Sequence, residues 1–253
     1  MVRIILSGCN GRMGKVITRM CSQDEEATIV AGFDINTQQE DIFPVYAKPE
    51  EFTGEADVII DFSHPSSLSG LLDYAQAHKL PVVICTTGLS AEQKQQLKDV
   101  SAKIPVFFSA NMSLGVNVIM DLVRRAARIL QDSYDIEIVE RHHNQKVDAP
   151  SGTALALADA ISEAVDYEPE YTYDRHSVRK KRGKTEIGIH AVRGGNIVGD
   201  HEVIFAGSNE VIEISHHAAS REVFAEGAVR AAKFMAGKQP GMYDMADLVA
   251  SIQ

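Results

Sequence analysis

The chain has 253 residues, of which 45% are hydrophobic and 24% charged, and it carries a formal net charge of −10. That length supports one large α/β domain or two modest ones around a sizeable core. The acidic balance argues against general binding to a nucleic-acid backbone, and the short apolar runs exclude a membrane-spanning helix.

Val2 to Leu6 reads as a short buried strand, "GCNGRMG" (Gly8 to Gly14) as a turn, and "KVITRMCS" as a helix. Thr28 to Asp34 is a second strand, followed by a polar segment to about Gly54. "ADVIIDFS", "PVVICTTG" and "PVFFSAN" are further strands, separated by the helices "SSLSGLLDYAQAHK" and "SAEQKQQLKDVSAK". Strands alternating with helices of this length predict a parallel sheet with right-handed crossovers. The pattern then changes. "VNVIMDLVRRAARIL" is a long amphipathic helix, "DIEIVERH" alternates as a half-buried strand, and "TALALADAIS" is a helix. From Lys184 to His217 the text reads strand, turn, strand, with "GGN" and "GSN" as the turns. Ile187 and Ile189, Val203 and Phe205, and Ile212 and Ile214 keep a period of two, which predicts an antiparallel or mixed sheet with one apolar face. "REVFAEGAVRAAKFMAG" returns to helix.

Gly8, Gly11 and Gly14 lie between the first strand and the first helix. Glycine allows the tight turn and a close approach of backbone to a pyrophosphate, while the helix N-terminus presents N–H groups to it. Asp34 ends the second strand, twenty residues past Gly14, where a carboxylate accepts from adenosine ribose hydroxyls. Ile35, not arginine, follows it. Without a cation there Asp34 repels a 2′-phosphate, so NADH is expected over NADPH, with Arg12 and Lys15 as the residues that would permit some NADPH use.

"ERHHNQKVDAPSGTA" (Glu140 to Ala154) concentrates polar chemistry ahead of a helix. Strand alternation places His142 on the face of Ile136 and Ile138 and turns His143 the other way. Lys146 follows in a loop, and Ser151, Gly152 and Thr153 stand where the helix starts. A helix N-terminus with a hydroxyl-bearing turn suits a carboxylate, and histidine suits general acid work near neutrality. No zinc site is read, because two adjacent histidines with no ligand at familiar spacing do not chelate. "RKKRGK" (Arg179 to Lys184) reads as a solvated loop. "SHHAASR", with His216 and His217, reads as a strand end, with Arg221 beside a possible cofactor. The N-terminus lacks the pattern of a signal peptide, and Cys9, Cys21 and Cys85 read as reduced thiols.

These segments together resemble the dihydrodipicolinate reductase family. The stretch from Glu140 to Ala154 resembles its catalytic signature, and "CTTGLS", "SANMSLGVNV", "RGGNIVGDHEV" and the C-terminal "FAEGAVRAAKFMAGKQPGMYDMADLV" extend the likeness over nearly the whole chain. The resemblance implies an α/β fold, a Rossmann-like dinucleotide-binding domain (residues 1–113 with 221–253) and an α+β substrate-binding and oligomerisation domain on an open mixed sheet (residues 114–220). It implies NAD(P)H-dependent reduction of 4-hydroxy-tetrahydrodipicolinate, by way of dihydrodipicolinate, to tetrahydrodipicolinate in diaminopimelate and lysine biosynthesis. His142 would donate the proton and Lys146 would bind substrate and assist, while His143, Gly152 and Thr153 would contact the cyclic dicarboxylate. Asn10, Gly11, Arg12 and Met13 would cradle the pyrophosphate. Phe62, Ser63, Thr86, Thr87, Gly88 and the stretch Ser109 to Met112, Asn111 included, would line the rest of the cofactor. A cytoplasmic homotetramer is implied, with no metal, nucleic acid or membrane partner. Ile35 and Met112 depart from the commonest family pattern. Two other readings compete: another NAD-dependent two-domain dehydrogenase, and a non-catalytic NADH-sensing module, which would bind NADH without oxidising it.

Overall fold

The computed structural model describes residues 1–38, 42–109 and 111–252. The chain divides into two compact units, Met1–Ser113 with Glu222–Gln253, and Leu114–Arg221. The first begins with β1 (Val2–Ser7), α1 (Arg12–Cys21), β2 (Ala27–Phe33) and β3 (Val45–Tyr46). β4 (Val58–Asp61), α2 (Leu68–His78), β5 (Val82–Ile84), α3 (Ala91–Ser101) and β6 (Pro105–Phe108) follow. The second unit holds α4 (Leu114–Leu130), β7 (Asp135–His142), α5 (Gly152–Ser162), β8 (Glu170–Thr172), β9 (Glu186–Arg193), β10 (Asp200–Ala206) and β11 (Val211–His217). The chain then returns to the first unit with α6 (Glu222–Met235), β12 (Gly241–Tyr243) and α7 (Met245–Ile252).

The first unit is a seven-stranded sheet in the order β12-β6-β5-β4-β1-β2-β3. Every pairing is parallel. Its central strands are apolar runs because they are covered on both faces: Ile4, Ile5, Leu6, Ile59, Ile60, Val82 and Ile84 are fully buried. α2 and α3 cover one face, through Leu68, Leu72 and Leu97. α6 returns against β1, β4, β5 and β6. The strand order reverses at β1, so the C-terminal ends of β1 and β4 open the crevice in which such sheets bind ligands.

The second unit is a five-stranded mixed sheet, β11-β10-β7-β9-β8. β7, β9 and β8 run parallel, and β10 and β11 are antiparallel to their neighbours. One face packs Ile136, Ile138, Ile187, Ile189, Val203 and Phe205 against Ile119 and Val123 of α4 and Leu157 and Ile161 of α5. The structure bears out both turns and corrects one local expectation here. "GSN" does close a hairpin between β10 and β11. "GGN" also turns the chain, but β9 and β10 are not paired, because β7 lies between them and the 194–199 loop crosses the end of β7. Ile212 is exposed, since β11 is the edge strand, so the apolar face fades there.

Candidate active site

β1 ends in the glycine turn. Gly8 adopts φ +78°, and a Cβ on it would stand 2.6 Å from the Phe62 carbonyl oxygen, so the turn presses backbone against the end of β4. α1 starts at Arg12 with no side chain capping it and no acid in its first turn. Its first-turn N–H groups, Arg12 and Met13 among them, have no intrahelical acceptor, and the helix dipole leaves this end positive. That is a fit for a pyrophosphate.

Asn10 stands differently from the expectation of a phosphate contact. Its backbone N–H donates to Asp34 Oδ2 at 3.0 Å. Its side-chain amide donates to the carbonyls of Asn36 and Gln38 at 2.5 and 3.1 Å. Gly11 N–H donates to the Gly8 carbonyl. Asn10 therefore holds the acid and the loop after it. Asp34 Oδ1 also accepts from Asn36 N–H, and Ile35 is 98% exposed, with no cation in its place.

At the neighbouring strand ends a buried carboxylate organises the rest. Asp61 Oδ1 accepts from the Ser63 hydroxyl at 2.5 Å and from Ser63 N–H. Its Oδ2 accepts from the buried Thr86 hydroxyl at 2.6 Å. Asp61 thus ties the end of β4 to the turn after β5, where Thr87 and Gly88 are exposed and Gly88 has φ +76°. Phe62 is half-buried beside it. After β6, Ser109 Oγ donates to the Asn111 carbonyl, Ser113 N–H donates to Asn111 Oδ1, and Met112 is buried. Ala110, in the same predicted stretch, lies outside the described residues.

In the second unit the polar chemistry gathers at the end of β7. Burial along β7 alternates, and Ile136, Ile138, Glu140 and His142 share the inner face. Glu140 is fully buried. Its Oε2 lies 2.6 Å from His142 Nδ1 and accepts from Arg193 Nη1 at 2.7 Å; its Oε1 accepts from Arg193 Nη2 at 2.7 Å and from Ser151 N–H at 3.0 Å. Burial pushes the Glu140 carboxyl up, but the Arg193 fork, the His142 ring and the Ser151 N–H outweigh it and hold the group below the ordinary carboxylate range.

Ser151 caps α5, its hydroxyl accepting from Ala154 N–H at 3.1 Å, and pairs with His201 Nε2 at 2.9 Å. His201 is buried and its ring meets His142 edge to face, centroids 5.2 Å apart. Burial, then the neighbouring His142, bring its pKa down to about 4. Gly152 is exposed and Thr153 half-buried at the positive end of α5. Lys146 Nζ pairs with Asp148 Oδ1 at 2.9 Å, and that ion pair holds the Asp148 carboxyl below its usual range. The Asp148 carbonyl in turn accepts from Arg193. The 194–199 loop closes over the strand end: Gly194 N–H donates to the His142 carbonyl and Asn144 N–H to that of Gly195.

Arg221 falls at the end of the second unit, not in the nucleotide domain as the sequence boundary had it. Its Nη2 lies 3.2 Å from His143 Nε2, so it stands beside the histidine stretch. Sequence reasoning assigned no part to Glu140, Arg193, His201 or Asp61. The signal for Glu140 was present: a carboxylate on the apolar phase of a strand, two residues before His142, needs a buried partner.

Models of the dihydrodipicolinate reductase N-terminal and C-terminal domains match residues 2–112 and 115–249. The chain belongs to the dihydrodipicolinate reductase family. It is 55% identical over 249 residues to the 4-hydroxy-tetrahydrodipicolinate reductase of Caldanaerobacter subterraneus subsp. tengcongensis, covering 98% of each chain. It is 54% identical over 246 residues to that of Clostridium tetani, covering 97% of this chain and 96% of the relative. A dipicolinate-bound dihydrodipicolinate reductase from Paenisporosarcina sp. TG-14 shares the fold with a TM-score of 0.82, at 24% identity over 98% of this chain and 99% of that one. Membership of the dihydrodipicolinate reductase family makes the chain an oxidoreductase with a pyridine-nucleotide domain. Among the described residues no helix is long and apolar enough to cross a membrane, and no cluster of three or more His, Cys, Asp or Glu side chains is placed to hold a metal ion.

Proposed function

We propose that the chain reduces 4-hydroxy-tetrahydrodipicolinate, after loss of water, to tetrahydrodipicolinate in diaminopimelate and lysine biosynthesis. A reduced nicotinamide supplies hydride, to C4 of the conjugated ring. His142 supplies the proton as the resulting enamine becomes the imine product. Lys146 and the N-terminal end of α5, at Gly152 and Thr153, hold the carboxylates by charge and by backbone N–H groups. His143 and Arg221 stand together as a further anion contact. The single observation that carries this reading is the end of β7, where one buried carboxylate joins an imidazole to the start of α5, with Lys146 in the connecting loop.

The first-turn N–H groups of α1 would hold the pyrophosphate of the cofactor, Asp34 would accept from its ribose, and Phe62, Ser63, Thr87, Gly88 and the stretch before α4 would line its nicotinamide half. Asp34 followed by Ile35 favours NADH. The open face of the second sheet carries Val139 and Ile204 half-buried and Val192 and Val211 exposed; we read it as the face through which a cytoplasmic homotetramer assembles.

The test follows absorbance of the reduced nicotinamide with purified protein, substrate being generated in place by a synthase from pyruvate and aspartate semialdehyde. Synthase-dependent oxidation, faster with NADH than with NADPH, is the expected result. Binding of NADH with no oxidation in either arm would return the chain to the sensor or the rival dehydrogenase reading.

A further inference from the structure

We propose that Glu140 is a positioning residue that fixes the tautomer of His142 and holds the proton donor and the carboxylate-binding start of α5 in one frame. The proposal rests on the reading of His142 as proton donor. An ionised carboxylate only accepts hydrogen bonds, so the ring nitrogen facing it, Nδ1, carries the proton in the neutral imidazole. The other nitrogen, Nε2, is then the one that gives a proton to a substrate and stands bare afterwards. The space beside Nε2 is kept by Gly199, where a Cβ would lie 3.1 Å from it.

Glu140 uses both oxygens and reaches three elements. It binds the ring on its own strand β7, the Arg193 guanidinium from β9 through two bonds, and the Ser151 N–H at the cap of α5. Register explains the meeting: His142 is paired with Arg193 across β7 and β9, and Glu140 with His201 across β7 and β10. The charged and titratable groups around the His142 ring are thus Glu140 on its own strand, Arg193 from β9 and His201 from β10. In the loop beyond are His143 and the Lys146–Asp148 pair. A Glu–Arg pair serving only the fold would be complete through its bidentate bonds. The added bonds to the imidazole and to the helix cap link the two halves of the substrate site.

The experiment compares wild type with Glu140→Gln and Glu140→Asp in the synthase-coupled assay, with NADH affinity, and records the imidazole 15N resonances of wild-type protein. In Glu140→Gln, kcat should fall about 100-fold, of the order that general acid catalysis supplies. KM for the ring dicarboxylate should rise through the displaced start of α5, and NADH affinity should stay within about twofold, since the cofactor residues are elsewhere. Glu140→Asp should recover part of kcat. Wild-type spectra should show the neutral His142 ring protonated at Nδ1, which decides the matter even if Glu140→Gln does not fold. Wild-type kcat in Glu140→Gln, or a neutral ring protonated at Nε2, would overturn the proposal. Absence of turnover in wild type would instead defeat the reading of the reaction, and the tautomer would still report on Glu140.

Discussion

His201 gives the most direct link between the buried chemistry and stability. It is 4% exposed, pairs with the Ser151 hydroxyl at the cap of α5, and its pKa falls from 6.5 to about 4. The folded protein therefore takes up a proton at His201 less readily than the unfolded chain. The stability from the neutral ring is fully present above pH 6.5 and is lost as pH falls toward about 4. At about 1.4 kcal/mol per pH unit, the whole gap is worth about 3 kcal/mol, and the part lost between pH 7.5 and 5.5 is about 1.3 kcal/mol. That window lies above the range in which carboxylates of ordinary pKa titrate, so acids add little to it. Hydrogen exchange of peptides covering β7 and β10 reads the second unit separately, and His201→Gln keeps a polar group beside Ser151 without a titrating ring. Wild type should lose about 1.3 kcal/mol of opening free energy between the two pH values, and His201→Gln clearly less, His216 also contributing because burial lowers its pKa. Equal losses in the two proteins would refute the assignment of a neutral, buried His201.

Further expectations follow from single contacts. Gly199→Ala places a methyl group 3.1 Å from His142 Nε2, so kcat should fall about tenfold with NADH affinity unchanged in a fluorescence titration. Asp34→Ala removes the proposed ribose acceptor and the repulsion toward a 2′-phosphate. The kcat/KM ratio of NADH to NADPH should then shrink about tenfold, and a wider gap would contradict the ribose role. Asp61→Asn leaves one acceptor oxygen where two now hold Ser63 and Thr86. KM for NADH should rise about tenfold, with a smaller change in KM for the dicarboxylate.

The nucleotide domain was legible because parallel strands covered on both faces are written as unbroken apolar runs, and a glycine turn followed by an acid at the end of β2 marks where they start. The strands that escaped were short and at edges. β3 has two residues and β12 three, too few for a period to show. "GGN" marked its turn without telling which strands pair. A turn signal reports local backbone chemistry, whereas strand neighbours are chosen by non-local pairing, and β7 takes the place between β9 and β10. The same division runs through the site. His142, Lys146 and Ser151 to Thr153 are neighbours in sequence and were found together. Arg193 and His201 arrive by register from β9 and β10, which spacing along the chain does not encode. Glu140 lay in plain view on the apolar phase of its strand, and only its partners explain why a carboxylate belongs there.

The measurement that bears most directly on the account is turnover of His142→Ala and Lys146→Ala on synthase-generated substrate, with NADH affinity determined on the same preparations. Each variant should lose about 100-fold or more in kcat/KM while binding NADH as wild type does. Wild-type turnover in both variants would mean that the end of β7 is not where this chain does its chemistry.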